Sequence, residues 1–271
     1  MINKDVEKSI IKKFRKDIWT PFVRAINDYE LIKEGDVIAV CISGGKDSFL
    51  LAKCLQEIKR HGKINFELKF IGMNPGYKKE NLDKIIENAR LLEIPLEIFE
   101  TNVFEVANKL NENKPCYICA RMRRGHLYSK AKELGCNKIA LGHHFDDVIE
   151  TILLSMLYGG EVKTMMPKLH SDNFEGLELI RPLYLVKESA IKNFVKYNNL
   201  EFINCACSFT DSNRDLDSKR LEMKELIKKF RETNPYIEQN IFKSVENINL
   251  STVISYHKGN NKYHFLDDYD E

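Results

Sequence analysis

The chain has 271 residues, 43% of them hydrophobic and 30% charged, which excludes a disordered chain or a minimal binding module and leaves one large domain with or without appended helices. Lys and Arg number 42 against 40 Asp and Glu, a formal net charge of +2, so any nucleic-acid binding must come from local patches rather than overall basicity. Seven cysteines, an odd count, with no apolar leader near Met1 argue against a secreted disulfide scaffold and for reduced thiols in a cytoplasmic protein, and no apolar run is long enough to span a membrane.

From Lys4 to about Tyr29, Val6, Ile10, Phe14, Trp19, Phe22, Val23 and Ile26 recur at mixed three- and four-residue spacing, with Lys8, Lys12, Lys13, Arg15 and Lys16 between them. That pattern predicts an amphipathic helical segment over residues 1–34. Val37–Ile42 is a short continuous apolar run, as expected of a strand buried on both faces. Ser43–Ser48 interrupts it with two glycines before helical patterning resumes at Phe49. Phe66–Ile71, Leu96–Phe99 and Lys138–Leu141 follow as strands, alternating with helices over Glu80–Leu92, about Gly125–Leu134 and Val148–Tyr158. Strands separated by helices of this length predict an α/β fold, a doubly wound, mainly parallel sheet over residues 35–204. Residues 205–271 carry a cysteine pair, a basic helix and an acidic tail ending in Asp267, Asp268, Asp270 and Glu271. In parallel sheets ligands bind beyond the carboxyl ends of the strands.

Ser43-Gly44-Gly45-Lys46-Asp47-Ser48 lies at such an end and opens a helix. Adjacent glycines let the backbone approach an anion, the helix start adds a positive dipole end, and Lys46 adds full charge. The arrangement suits phosphate or pyrophosphate; the plain alternative is a tight turn with a Ser or Asp cap. It is neither G-x-x-x-x-G-K-[ST] nor G-x-G-x-x-G. The six residues resemble the signature of the PP-loop ATP pyrophosphatases. That resemblance implies a loop that holds the pyrophosphate of ATP while the α-phosphate is attacked to adenylate a substrate. Ser43, Gly44, Gly45 and Ser48 would grip phosphate oxygens, Lys46 would neutralise charge, and Asp47 would help place Mg²⁺.

Gly142-His143-His144-Phe145-Asp146-Asp147 ends a second apolar strand. Its carboxylates suit a helix start and also an ATP–Mg²⁺ site, which makes Gly142, His143, Asp146 and Asp147 candidates. This stretch, Glu150-Thr151, Tyr158-Gly159-Gly160, Pro167-Lys168-Leu169 and Ile180-Arg181-Pro182-Leu183 resemble one PP-loop branch, the tRNA 2-thiocytidine synthetases.

Cys41, Cys54 and Cys136 read as small buried hydrophobes. Cys116-Tyr117-Ile118-Cys119, in a loop-like approach to a helix, and Cys205-Ala206-Cys207 do not. A structural zinc site, a redox disulfide and an iron–sulfur cluster are all open to these four thiols. The same branch carries Cys-x-x-Cys followed by Arg-x-Arg-Arg-Gly, matched by Cys116, Cys119, Arg121, Arg123, Arg124 and Gly125. The resemblance therefore implies a [4Fe–4S] cluster on Cys116, Cys119 and Cys205, with Cys207 the alternative because the family's second pair is Cys-x-x-Cys. An iron left without a protein ligand would pass sulfur from a donor, a cysteine desulfurase or sulfide, to a pyrimidine of tRNA activated by ATP. Lys46, Asp47, Cys116 and Cys119 become the catalytic candidates, and a homodimer is compatible with this reading. A thiouridine synthetase, a desulfidase, a zinc-stabilised nucleotide-binding protein and a lysidine-type ligase are the rivals. Arginines at a helix start oppose its dipole, which suggests anionic company for Arg121, Arg123 and Arg124, either ATP or RNA phosphate. Lys219, Arg220, Lys224, Lys228, Lys229 and Arg231, with the N-terminal lysines, are candidates for a discontinuous RNA surface.

Overall fold

The computed structural model describes residues 2–110, 115–203 and 214–269. Its core is a six-stranded sheet built from β1 (Val37–Cys41), β2 (Glu67–Asn74), β3 (Leu96–Glu100), β4 (Lys138–Ala140), β5 (Lys168–His170) and β6 (Glu178–Ile180). The spatial order is β3-β2-β1-β4-β6-β5, and β5 alone runs antiparallel. The parallel α/β fold expected from the alternating pattern is what forms. The chain runs outward from β1 to β3 and then returns to the other side of β1 as β4. The carboxyl ends of β1 and β4 therefore flank the point where strand order reverses, the standard ligand crevice of open α/β sheets.

Helices are interspersed with the strands along the chain, α3 (Lys46–His61), α4 (Lys79–Leu91), α5 (Val103–Leu110), α6 (Pro115–Glu133), α7 (Phe145–Gly159) and α8 (Glu188–Tyr197), and α3 and α6 pack on the sheet. Ala39 and Cys41 of β1 pack with Tyr128 and Ala131 of α6; by the two-residue alternation of a strand, Ile38 and Val40 face the opposite side. Cys41, Cys54 and Cys136 are buried, as their apolar settings suggested. Burial raises all three thiols, Cys136 to about 11, so they stay protonated and inert.

The N-terminal segment departs from a regular helix. It runs as α1 (Ile2–Lys8), two π-helical stretches (Ser9–Lys13 and Arg15–Trp19) and α2 (Thr20–Asp28). The buried stripe is Val6, Ile10, Phe14, Ile18, Phe22 and Ile26, at a constant spacing of four, with Ile18 rather than Trp19 facing the core. An α-helix of 3.6 residues per turn would rotate such a stripe by about 40° per step. The wider π turns rotate it back, so the mixture keeps one face on the core. Phe14 packs edge-on against Phe194 and Tyr197 of α8.

The sequence pattern misses β5 and β6, whose three residues each are too short to show a period. It also starts α6 ten residues late. Pro115 occupies the first position of that helix, where a missing N–H costs nothing, and Gly125 sits inside it with open space around it. Cys116 and Cys119 are thus on the helix itself, not in a loop before it. Arg121, Arg123 and Arg124 fall in its second and third turns, beyond the reach of the dipole penalty, so that argument for anionic company lapses.

By contacts the chain divides into two compact units, residues 1–148 with 165–219, and residues 149–164 with 220–271. In the second unit, the part of α9 (Arg214–Thr233) from Arg220 on buries Met223 and Ile227, α10 (Ile237–Lys243) buries Phe242, and Arg231 pairs with Glu238. Its C-terminal stretch forms a hairpin, β7 (Ser255–Lys258) with β8 (Asn261–His264), in which Tyr256 stacks on Tyr263 at 4.9 Å.

Polar pins fix the elements around the sheet. Lys138 Nζ, buried at the start of β4, lies 3.0 Å from Asp36, 3.1 Å from Glu178 and donates to the Leu31 carbonyl at 2.8 Å. Lys53 of α3, 1% exposed, lies 2.8 Å from Glu7 of α1 and donates to Gln56 and the Leu92 carbonyl. Glu7→Ala strips Lys53 of its closest counter-charge, and breaking a buried pair from one side costs about 3 kcal/mol. The expected result is a lower urea midpoint at unchanged m-value; an unshifted midpoint would show that the neutral acceptors suffice.

Candidate active site

The loop after β1 is built to receive an anion. Gly45 is the N-cap of α3, extended at φ −82°, ψ 160°, and no side chain caps the helix, so its first-turn amides are available to a ligand. Buried Ser48 closes the loop on itself: its hydroxyl accepts from the Ser43 N–H at 3.2 Å and donates to the Gly45 carbonyl at 2.9 Å. Gly44 has φ 94°, and a Cβ there would stand 2.4 Å from Ile203 Cδ1 and 2.8 Å from Ile85 Cγ1. Glycine is required for both conformation and space.

The loop after β4 presses onto this cradle. A Cβ on Gly142 would stand 3.1 Å from the Asp47 carbonyl carbon and the Ser48 nitrogen, so the two strand ends meet backbone to backbone. Buried His144 then sits among three carboxylates, with Nε2 3.9 Å from Asp47 Oδ1 and Nδ1 3.5 Å from Asp147 and 3.9 Å from Asp146. Asp147 accepts the His144 N–H at 3.0 Å, and Asp146 accepts the Glu188 N–H at 2.7 Å, capping α8. His143 is half-buried in the same loop. Ser43, Gly44, Gly45, Lys46, Asp47, Ser48, Gly142, His143, Asp146 and Asp147 are therefore gathered at one crevice.

Two residues of this corner escape the sequence reading. His144 stands within the motif but carried no assigned role. Glu188, at the first position of α8, has only that position as a signal. Its carboxylate lies 3.1 Å from Lys46 Nζ and 2.9 Å from Lys192 Nζ. Burial alone would raise the Glu188 carboxyl, but hydrogen bonds and charge from Lys192 and Lys46 outweigh it and bring it to about 2. For Lys46, burial opposes the charge, and Asp47 at 3.1 Å together with Glu188 overcomes it, raising the ammonium above its ordinary value. Lys46 is thus a permanent cation held between two carboxylates at the mouth of the cradle. The buried Asp47 Oδ1 has no hydrogen-bond partner among the described residues, which fits an acceptor for a cation or a ligand donor.

The thiol region lies at the same edge of the sheet. Cys119, buried in α6, packs with Met73 at the end of β2 and with Val103 and Phe104 at the start of α5. Tyr77 and Phe99 line this cluster, giving the apolar shell that thiolate-bound iron–sulfur groups commonly have. Cys116 occupies the first turn of the same helix. Cys205 and Cys207 lie outside the described residues. Arg123 is half-buried and donates to the Tyr77 hydroxyl at 3.3 Å, whereas Arg121 and Arg124 are exposed.

Comparison with known proteins matches these features. The sequence profile of the PP-loop domain covers residues 13–228 of the chain. The chain belongs to the PP-loop family. Among PP-loop relatives, the tRNA-cytidine(32) 2-sulfurtransferase of Pelobacter propionicus is 38% identical over 227 residues, 83% of this chain and 83% of that one. The protein of the same name from Alcanivorax borkumensis is 36% identical over 253 residues, 91% of this chain and 86% of that one. The U34-tRNA thiolase NcsA from Methanococcus maripaludis, solved with its [4Fe–4S] cluster, superposes with a TM-score of 0.66 at 22% identity, covering 84% of this chain and 76% of that one. This PP-loop protein therefore shares its fold.

Two expectations follow. Gly142→Ala forces the strand ends apart and weakens ATP binding by tenfold or more, measured calorimetrically, while the fold persists; unchanged affinity would show that the cradle tolerates the separation. Glu188 has a depressed folded pKa, so its contribution is present above pH 4.5 and fades as pH falls toward about 2. Glu188→Gln should be less stable than the parent at pH 7 and should lose less on acidification through that window. Superimposable acid-unfolding curves would contradict the ion pair.

Proposed function

We propose that this chain is an ATP-dependent tRNA sulfurtransferase that converts a cytidine of tRNA, position 32 by analogy with its relatives, to 2-thiocytidine. The carrying observation is the uncapped glycine cradle with Lys46 at its mouth, at the same sheet edge as the buried Cys119 helix, in a chain that is 38% identical to a protein of that name over most of its length.

The chain's own groups divide the work as follows. First-turn amides of α3, with Ser43, Gly44, Gly45 and Ser48, hold the pyrophosphate portion of ATP. Lys46 leaves its carboxylate partners for the phosphates and neutralises charge as the bond to pyrophosphate breaks. Asp47, through its unpartnered Oδ1, is the carboxylate that would hold Mg²⁺, with Asp146 and Asp147 in the neighbouring loop as further candidates, and the ion would offset phosphate charge. The cytidine O2 attacks the α-phosphorus, pyrophosphate departs, and C2 then carries an AMP leaving group. A sulfur nucleophile adds at C2 and AMP leaves with the original oxygen, so the base exchanges one oxygen for one sulfur. Cys116, Cys119 and Cys205, or Cys207 in its place, would hold a [4Fe–4S] cluster, which when bound supplies an iron open to sulfur from a cysteine desulfurase or from sulfide. Cys119 packs among apolar side chains, a setting in which a metal-bound thiolate would be shielded from water. The target base must be unpaired or flipped to reach the crevice, as in a tRNA loop.

The test is nucleoside analysis of tRNA from cells lacking the gene and complemented with the parent, Lys46→Ala or Cys119→Ser. 2-Thiocytidine should return with the parent alone, and 2-thiocytidine that persists without the gene would overturn the assignment. Anaerobically purified parent should carry about four iron and four acid-labile sulfide per chain; zinc without sulfide would exclude the cluster.

A further inference from the structure

The four-residue stripe that anchors the N-terminal segment has a counterpart on its outer face. Lys4, Lys8, Lys12 and Lys16 share the same spacing and are displaced by two residues from Val6, Ile10, Phe14 and Ile18. Two residues is about 200° around a helix, so the lysines stand opposite the buried stripe. All four are exposed. Because the α and π turns hold the stripe straight, they hold the lysines straight as well, in a row of roughly 18 Å with about 6 Å between neighbours.

This row is electrostatically unsatisfied. Several lysines of the same unit meet carboxylates, Lys53 with Glu7, Lys84 with Glu87, Lys130 with Glu97, Lys138 with Asp36 and Lys192 with Glu188; others, such as Lys33, Lys59, Lys63 and Lys132, have no ion pair among the described residues but are scattered along the chain rather than aligned. Lys4, Lys8, Lys12, Lys13, Arg15 and Lys16 have no ion pair among the described residues; Lys13 instead lies over the ring of Tyr197, 5.7 Å from its centroid. Asp5 and Asp17 are the exposed acids alongside the row, Asp28 further on pairs with Arg24, and Glu7 points inward to Lys53 and Arg60. Like charges one turn apart repel weakly on a helix, and a straight row of them is complementary to an external polyanion. Lys8, Lys12 and Lys13 also line a cleft of about 460 Å³ floored by Tyr197 and Asn198. Tyr197 is 57% exposed, yet its ring is fixed edge-on by Phe14, which gives a stacking surface beside the charges.

We propose that the Lys4, Lys8, Lys12 and Lys16 row, with Lys13 and Tyr197 at its side, is where the sugar–phosphate backbone of the tRNA rests. The proposal builds on the tRNA reading of the active site and adds its docking surface. α8 supplies the link: its first residue, Glu188, holds Lys46, and its last, Tyr197, borders the basic cleft, roughly 14 Å further along the helix. A stem lying on the row is thereby within one helix length of the cradle, as a loop nucleotide presented to ATP requires.

The experiment uses an unmodified transcript of a tRNA with cytidine at position 32 and follows its binding to the full chain across a salt series. Three proteins are compared: the parent, a variant with Lys4, Lys8, Lys12 and Lys16 changed to Gln, and a control with Lys33, Lys59, Lys63 and Lys132 changed to Gln. Each lost phosphate contact lowers the slope of log affinity against log salt by about 0.9. The row variant should therefore bind at least tenfold more weakly near 0.1 M salt with a slope shallower by about 3.6 if all four contacts are lost, while ATP affinity and melting temperature hold and the control matches the parent. A version with the four lysines changed to Arg should retain binding. Equal affinity and slope for row variant and parent overturn the docking surface and leave the sulfurtransferase reading standing, as does an equal loss in the control. A parent that binds no tRNA overturns both.

Discussion

Two backbone segments meet at the switch point of the sheet with no side chain between them. Gly142 approaches Asp47 and Ser48 so closely that a single methyl would stand 3.1 Å from main-chain atoms. That contact joins the ends of β1 and β4 and makes one crevice of two loops. It sets the Asp146 and Asp147 loop against Lys46, draws Glu188 in through its N–H to Asp146, and fixes His144 beneath them. The parallel sheet supplies the meeting point because its strand order reverses there. Helix dipole, ammonium and carboxylates act on one small volume because of it.

Charge in the crevice is poised rather than neutralised. Lys46 is held by two carboxylates at 3.1 Å each, and the Glu188 carboxyl is drawn to about 2 by its lysine partners. The ion pairs replace part of the hydration that a buried ammonium gives up. In the proposed reaction an incoming phosphate would exchange one set of oxygens for another around the same nitrogen.

Much of this was legible in the residues. Val37–Ile42 reads as a doubly buried strand because both its faces are covered, and Ser43–Ser48 reads as an anion loop because glycine, lysine and a helix start coincide. Cys41, Cys54 and Cys136 read as core from their apolar neighbours alone. The losses have physical reasons too. β5 and β6 are too short to carry a period. The α6 helix hides its start because its apolar residues form no stripe, and its glycine looks like a boundary. Glu188 is invisible as a site residue because its role depends on a tertiary contact with Lys46, 142 positions earlier in the chain. The N-terminal stripe was read with Trp19 in place of Ile18, since a 3.6-residue period was assumed where the true mean is four.

That mean period limits how the N-terminal segment can vary. With a mean period of four, removing one residue between Ser9 and Trp19 without changing the kind of turn would rotate everything before it by about 90° about the helix axis, swinging the lysine row off its line and driving polar groups toward the core. Removing four would shorten the row by one lysine and leave its direction unchanged. Length in this segment is therefore tied to its mixture of turns: a single-residue change must be taken up by exchanging a π turn for an α turn, or the reverse, if Phe14 is to stay against α8.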